Sequence, residues 1–325
     1  MQENDENSNR SYLDSVGGLF DDASEDDTKG DIGTASVDEE ETSTQQHIYN
    51  SRKPKWWKSQ CGKATKSQKL AMREILESHR SPRVPYGCFL DWGELYSESK
   101  EIWLEVGFGR GENLLGLASR KPSDILLVGA EIHQPGVGTV CQRMLEGIRN
   151  KAFWTEYVTY SPELDPYHDG SATASHGESD LRDLDSQQDP YTNVRIYPGD
   201  GVKLLPYIPS SSLSAVLVTF PDPFAGNKEK KWRLIQTHTL VEIHRTLKTS
   251  GRLYLATDHE GYHEWSHSVM NQLNSETLKF RLMDTCPDRL DWLPVISRYE
   301  QKGWDEGRST RLSCWQALPE ASLDA

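Results

Sequence analysis

From residue 101 onward, short apolar runs alternate with helical patterns, and this alternation restricts the fold of the chain more than any other feature of it. The strand-like runs are Ile102 to Val106, Ile125 to Ala130, Val194 to Tyr197, Ser214 to Phe220 and Arg252 to Thr257. Between them lie helical stretches, the clearest being Trp232 to Leu247, where Leu240, Ile243 and Leu247 share one face. Strands alternating with helices imply βαβ units and a mostly parallel sheet with helices on both faces. The expected class is therefore α/β, doubly wound and Rossmann-like, over residues 101–320. A helix running through Met270 and strands near Phe280 to Met283 and Leu312 to Ala317 complete it. Residues 155–191 interrupt the rhythm with Asp, Ser, Gly and Pro, and are expected to form an inserted acidic surface loop.

The net charge of −14 on 325 residues argues, taken whole, against a nucleic-acid partner, because phosphate contacts need clustered cations. The acid is local, however. Residues 1–50 hold 14 acidic and 2 basic residues, and residues 155–191 hold 9 and 1, which leaves 27 acidic against 33 basic residues on the rest. The first segment has too little apolar surface to offset its ordering entropy and is expected to be a disordered tail. From Arg52 to Arg83 there are ten basic residues against Glu74 and Glu77, with Trp56 and Trp57 interleaved. That basic extension, 51–100, reads as a nucleic-acid contact built on a helix whose apolar face is Met72, Ile75 and Leu76.

Five cysteines, widely spaced and without a CxxC pair, predict free thiols in a reducing intracellular compartment. Cytoplasm, nucleus and an organelle all fit that reading. The first thirty residues lack a secretory pattern and are too acidic for an ordinary transit peptide. No apolar run approaches the roughly 18–20 residues of a membrane span, so no membrane partner is expected.

The chemistry is concentrated at strand ends. Glu105-Val-Gly107-Phe-Gly109-Arg-Gly111 ends the first strand and opens a helix. Its GxGxG spacing departs from the dinucleotide GxGxxG, and an acid two residues before the first glycine suits an ammonium group better than a pyrophosphate. This combination points to S-adenosylmethionine. Glu131 follows the second strand, where a carboxylate can accept ribose hydroxyls, and Asp200, within Gly199-Asp-Gly201, follows the third, where it can meet an adenine amino group. The fourth strand ends in Phe220-Pro-Asp222-Pro-Phe224, with prolines restricting the backbone on either side of one acid. Lys228, Lys230, Lys231 and Arg233 come next, next to a helix start where cations oppose the dipole, and so are expected to meet phosphate.

In this set of residues the chain resembles the tRNA (guanine-N7)-methyltransferases. Seven separated motifs match in order: Leu104 to Glu112, Gly129 to Gly138, Gly199 to Gly201, Phe220 to Phe224, Lys231 to Leu234, Ala256 to Asp258, and Ser297 to Gly303. The Glu131-Ile-His-Gln-Pro-Gly-Val stretch is similar to the bacterial branch, which works without a partner subunit. The resemblance implies a class I S-adenosylmethionine methyltransferase fold acting on tRNA. It implies that Glu105, Glu131, Asp200 and Asp222 line the cofactor site, that Asp222 is also catalytic, and that Asp258, Ser297 and Glu300 hold the target nucleotide. The chain departs from the family at Gly226, where a substrate-contacting lysine is usual, and Lys228 or Lys230 is expected to substitute.

Guanine N7 carries a free lone pair at neutral pH, so no general base is needed, and Asp222 is expected to orient and stabilise rather than to remove a proton. The competing readings are a methyltransferase acting on exocyclic amino groups, a non-catalytic RNA-binding protein that keeps the fold, and a nicotinamide dehydrogenase. Proline on each side of Asp222 disfavours the first, the acids at every strand tip the second, and GxGxG spacing the third.

Overall fold

The computed structural model describes residues 62–80, 101–168 and 189–319, apart from 122 and 278. The expected acidic tail lies outside the described residues, as do Arg52 to Lys58 with the two tryptophans, Arg83, the centre of the acidic insertion and the side chain of Arg80.

Helix α1 (Lys66–Ile75) begins at a capping box: the Thr65 hydroxyl accepts from the Gln68 N–H, and the Gln68 side chain accepts in return from the Thr65 N–H at 2.9 Å. Its buried side is Ala71, Met72 and Ile75, as its spacing predicts, while Lys66, Lys69 and Arg73 stay exposed.

The sheet domain then runs β1 (Glu101–Val106), α2 (Glu112–Arg120), β2 (Ile125–Ala130), α3 (Gln134–Asn150), β3 (Val158–Thr159), β4 (Val194–Tyr197), α4 (Gly201–Leu204) and β5 (Leu213–Thr219). It continues with α5 (Thr237–Thr246), β6 (Leu247–Thr257), α6 (Glu260–Glu276), β7 (Phe280–Leu282), β8 (Val295–Ile296), α7 (Arg298–Asp305) and β9 (Arg311–Ala317). Seven strands form one sheet in the order β4-β2-β1-β5-β6-β9-β7. The first five are mutually parallel, and β9 runs antiparallel between β6 and β7. Alternate residues feed two apolar layers. Trp103, Leu127, Leu217 and Tyr254 pack in one, and Leu104, Val128, Val216 and Leu255 in the other. Both faces are buried, which is why the strands read as continuous apolar runs. Gln68 on α1 donates to Pro135 O and Thr139 Oγ1 at 3.1 Å each, docking the basic helix onto α3.

Two sequence expectations change. The helix expected from Trp232 begins only at Thr237, because residues 233–236 are drawn into the core: Ile235 is buried and its N–H donates to the Tyr262 hydroxyl. The insertion is not all loop either. Val158–Thr159 pairs antiparallel with Val295–Ile296, the Tyr157 hydroxyl meets Ser119 Oγ at 2.7 Å, and Tyr191, fully buried, accepts from the Trp154 N–H. Tyrosines and a short β-pair thus anchor both ends of a stretch whose composition alone reads as solvent-facing.

Candidate functional site

The carboxyl ends of the five parallel strands form one edge, and each carries an acid within three residues of its tip: Glu105 (β1), Glu131 (β2), Asp200 (β4), Asp222 (β5) and Asp258 (β6). Open sheets bind ligands at this edge, where parallel strands leave helix N-termini and loops facing a crevice.

Glu105 is almost wholly buried. Its Oε1 accepts from Thr219 Oγ1 at 2.9 Å and Asn113 Nδ2 at 3.2 Å, while Oε2 and the Asn113 Oδ1 have no hydrogen-bond partner in the described structure. Burial pushes the Glu105 carboxyl up to about 7, only partly opposed by the bonds from Thr219 and Asn113. Two buried acceptors without a donor are costly unless a ligand supplies one. A cationic, multiply donating group such as an ammonium meets that requirement.

The turn above it is built by Gly107, Gly109 and Gly111, at φ of 81°, 61° and 76°. Gly111 caps α2 in the left-handed region, and a Cβ there would lie 2.4 Å from Val140 Cγ2, so no other residue fits. The Gly109 N–H donates to Glu131 Oε2 at 2.8 Å, and the His133 N–H donates to Glu131 Oε1 at 2.7 Å. Burial raises the Glu131 pKa and these two amides lower it. Each carboxylate oxygen keeps a second acceptor position, which leaves room for a diol. Asp200 caps α4 by accepting from the Val202 N–H at 3.0 Å.

Asp222 is exposed, and its Oδ1 accepts from the Phe224 N–H at 3.1 Å. Phe220 and Phe224, on either side of it, lie at φ of 47° and 40°, a region that aromatic residues rarely occupy. Such strain persists only where the surroundings hold it. Arg233 does so here. It is buried, its Nε donates to Pro223 O at 2.8 Å, its Nη1 and Nη2 reach Gly261 O and Phe224 O at 3.3 and 3.4 Å, and its guanidinium lies 5.1 Å from the Trp265 ring. This corrects the expectation that Arg233 meets phosphate: it ties the Asp222 loop to the first turn of α6. Lys228 and Lys231 are exposed, Lys230 is half-buried, and Lys230 to Trp232 form a 3₁₀ turn.

The three residues expected to hold a nucleotide all gather at α7. Ser297 caps it by accepting from the Glu300 N–H. Glu300 is fully buried, with its two oxygens 2.7 and 2.6 Å from Arg289 Nη1 and Nη2, and Oε1 also accepts from Thr310 Oγ1 at 2.7 Å. Asp258 accepts from Arg308 Nε at 2.8 Å. The Glu300 carboxylate is thus committed to Arg289, and it shapes the site by fixing α7 rather than by presenting a free oxygen. Sequence reasoning missed Asn113, Thr219, Arg289 and Thr310. The first lies two residues past Gly111, on the face of α2 that looks back at β1, a register that could have marked it; the others carry no local signal.

A methyltransferase family model matches residues 99–155 and 177–311. A tRNA (guanine-N(7)-)-methyltransferase of Caulobacter vibrioides is 30% identical over 222 residues, covering 67% of this chain and 76% of that protein. Similar proteins of the same name occur in Acidithiobacillus ferrooxidans, at 25% identity over 79% of this chain and 92% of the relative, and in Burkholderia lata, at 29% over 75% and 77%. With the glycine-rich turn and the strand-tip acids already in place, these matches mean that the chain belongs to the tRNA (guanine-N7)-methyltransferase family.

Proposed function

We propose that the chain transfers the methyl group of S-adenosylmethionine to guanine N7 in tRNA, and does so without an obligatory protein subunit. The observation that carries this reading is the buried pair of unpartnered acceptors, Glu105 Oε2 and Asn113 Oδ1, beneath a three-glycine turn. They suit the amino-acid ammonium of that cofactor, with Glu131 for the ribose hydroxyls and Asp200 for the adenine edge.

Bound S-adenosylmethionine supplies an electrophilic methyl group on a sulfonium. The protein's task is then to hold N7 in line with it and to favour the positive charge that develops on the base. Asp222 is an exposed acceptor at the adjoining strand tip, able to receive the N1–H and N2–H₂ donors on the far edge of guanine. Its charge also stabilises the cationic 7-methylguanine product. No proton need leave N7, so Asp222 orients and stabilises without acting as a base. Incubating the recombinant chain alone with labelled S-adenosylmethionine and unmodified tRNA should yield 7-methylguanosine on nucleoside analysis. Cofactor binding without methyl transfer would favour a non-catalytic RNA-binding protein instead.

Binding should depend on pH through Glu105. Its folded pKa of about 7 lies above its ordinary value of 4.5, so the folded protein holds the extra proton and this group subtracts stability as pH rises from 4.5 to 7. A cationic ligand needs the ionised form. Affinity for S-adenosylhomocysteine should therefore fall about tenfold per pH unit below 7, and Glu105→Gln should flatten that profile in calorimetric titrations.

The basic residues divide into two roles. Replacing Lys228, Lys230 and Lys231 by Ala should weaken tRNA binding and reduce its log–log salt slope by roughly 2–3, about 0.9 for each phosphate that is no longer neutralised. Arg233→Lys, which keeps the charge but cannot bridge Pro223 and Gly261, should leave the slope unchanged and lower kcat about tenfold. Filter binding across salt concentrations, beside steady-state kinetics, separates the two.

A further inference from the structure

We propose that Tyr299 is the platform on which the target guanine stacks while its N7 is presented for methylation. The proposal rests on the methyltransferase reading and deepens it by naming a substrate contact.

Tyr299 is 44% exposed, although Glu300, Gly303 and Trp304 on the same helix are buried. It is nevertheless held in place. Arg298 Nη2 lies 2.7 Å from the Tyr299 hydroxyl, and the Arg298 guanidinium stands 4.6 Å from the ring centroid. The start of α7 is pinned by the Ser297 cap and by the Glu300 bonds to Arg289 and Thr310. A rigid aromatic ring facing solvent is preorganised for a flat partner, since little rotamer freedom remains to be lost on binding.

Its location follows from two glycines. A Cβ on Gly109 would lie 3.3 Å from Tyr299 Cε2, so the ring borders the glycine-rich turn after β1. One helical turn further on, a Cβ on Gly303 would lie 2.5 Å from Asp258 Oδ2, so only glycine lets α7 pass so close to the acid after β6. Strand β5 lies between β1 and β6 in the sheet. The turn from Tyr299 to Gly303 therefore reaches from the loop after β1 to the loop after β6, the two strands that flank β5 and the exposed Asp222 that follows it. A nucleobase brought to Asp222 passes this turn and meets the Tyr299 ring. Bases that undergo chemistry leave their stack in folded nucleic acid, and an aromatic side chain replaces the stacking they lose.

The test compares the full-length wild type with Tyr299→Ala, Tyr299→Leu and Tyr299→Phe, using labelled S-adenosylmethionine and unmodified tRNA. The kcat/KM for tRNA should fall roughly 10- to 100-fold in the Ala and Leu variants and stay within about threefold in Phe, which keeps the ring. Affinity for S-adenosylhomocysteine and the melting temperature should be unchanged in all three. An Ala or Leu variant within twofold of wild type would overturn the proposal. So would a parallel loss of cofactor affinity, which would place the ring against the cofactor, or a Phe variant as defective as Ala, which would make the phenol hydrogen bond the operative feature. A folded wild type that forms no 7-methylguanosine would defeat the methylation reading itself, and the stacking proposal with it.

Discussion

Replacing Asp222 by Asn is expected to lower kcat by roughly 10²–10³-fold, the scale seen when one preorganised electrostatic contact to a developing charge is removed. The structure explains why the loss should be confined to turnover. Asp222 is exposed, and its one side-chain bond within the described protein is to the Phe224 N–H, which an Asn oxygen can replace. Stability should therefore change by no more than about 0.5 kcal/mol. Affinity for S-adenosylhomocysteine should fall far less than kcat, because the acceptors assigned to its ammonium and ribose, Glu105, Asn113 and Glu131, remain. Single-turnover methylation with saturating tRNA and cofactor measures the effect directly. Wild-type turnover in this variant would remove Asp222 from the mechanism.

The second large effect concerns stability. Glu300→Ala leaves the Arg289 guanidinium buried without its partner, and breaking one side of a buried ion pair costs about 3–5 kcal/mol. For a domain of this size that corresponds to a fall in melting temperature on the order of 10 °C. The pair itself should contribute much less, because both ions give up hydration to form it. The double replacement Glu300→Leu with Arg289→Met should therefore recover most of the lost stability. Thermal denaturation of the wild type and these two variants distinguishes this from a simple loss of packing, in which the double variant would be the worse of the two. Arg289 also donates to Leu293 O and Val295 O, and its guanidinium lies 3.7 Å from the Tyr160 ring. Breaking the pair should thus loosen the anchored start of the acidic insertion together with α7.

All seven sheet strands were legible in the sequence, five as apolar runs in the alternating pattern and two near Phe280 to Met283 and Leu312 to Ala317, and two of the five, Ile125 to Ala130 and Val194 to Tyr197, coincide with the observed bounds. Strand β6 is longer than its apolar run, because Leu247 pairs with Leu213 across an irregular stretch before regular pairing resumes at Arg252. Strand β3 carries no such run. It is two residues long, and its pairing partner lies more than 130 residues away, so no local pattern encodes it.

The candidate site divides in the same way. The acids at the strand tips are legible because each belongs to a segment in which periodicity ends and glycine or proline begins, and a parallel sheet brings all such ends to one edge. What a side chain does once there is set by its neighbours. Arg233 and Lys231 are indistinguishable as members of a basic run. One is buried against Pro223 and Gly261, and the other is exposed beside Trp232. Glu105 and Glu300 are both fully buried acids, yet Glu105 keeps an unpaired oxygen while Glu300 is saturated by an arginine eleven residues before it. The sequence by itself determined the fold class, the edge where chemistry gathers and the acids present there, since all three follow from local periodicity and chain order. Only the tertiary structure decided which charges are available to a ligand, because availability depends on desolvation and on hydrogen-bond partners that come from distant parts of the chain.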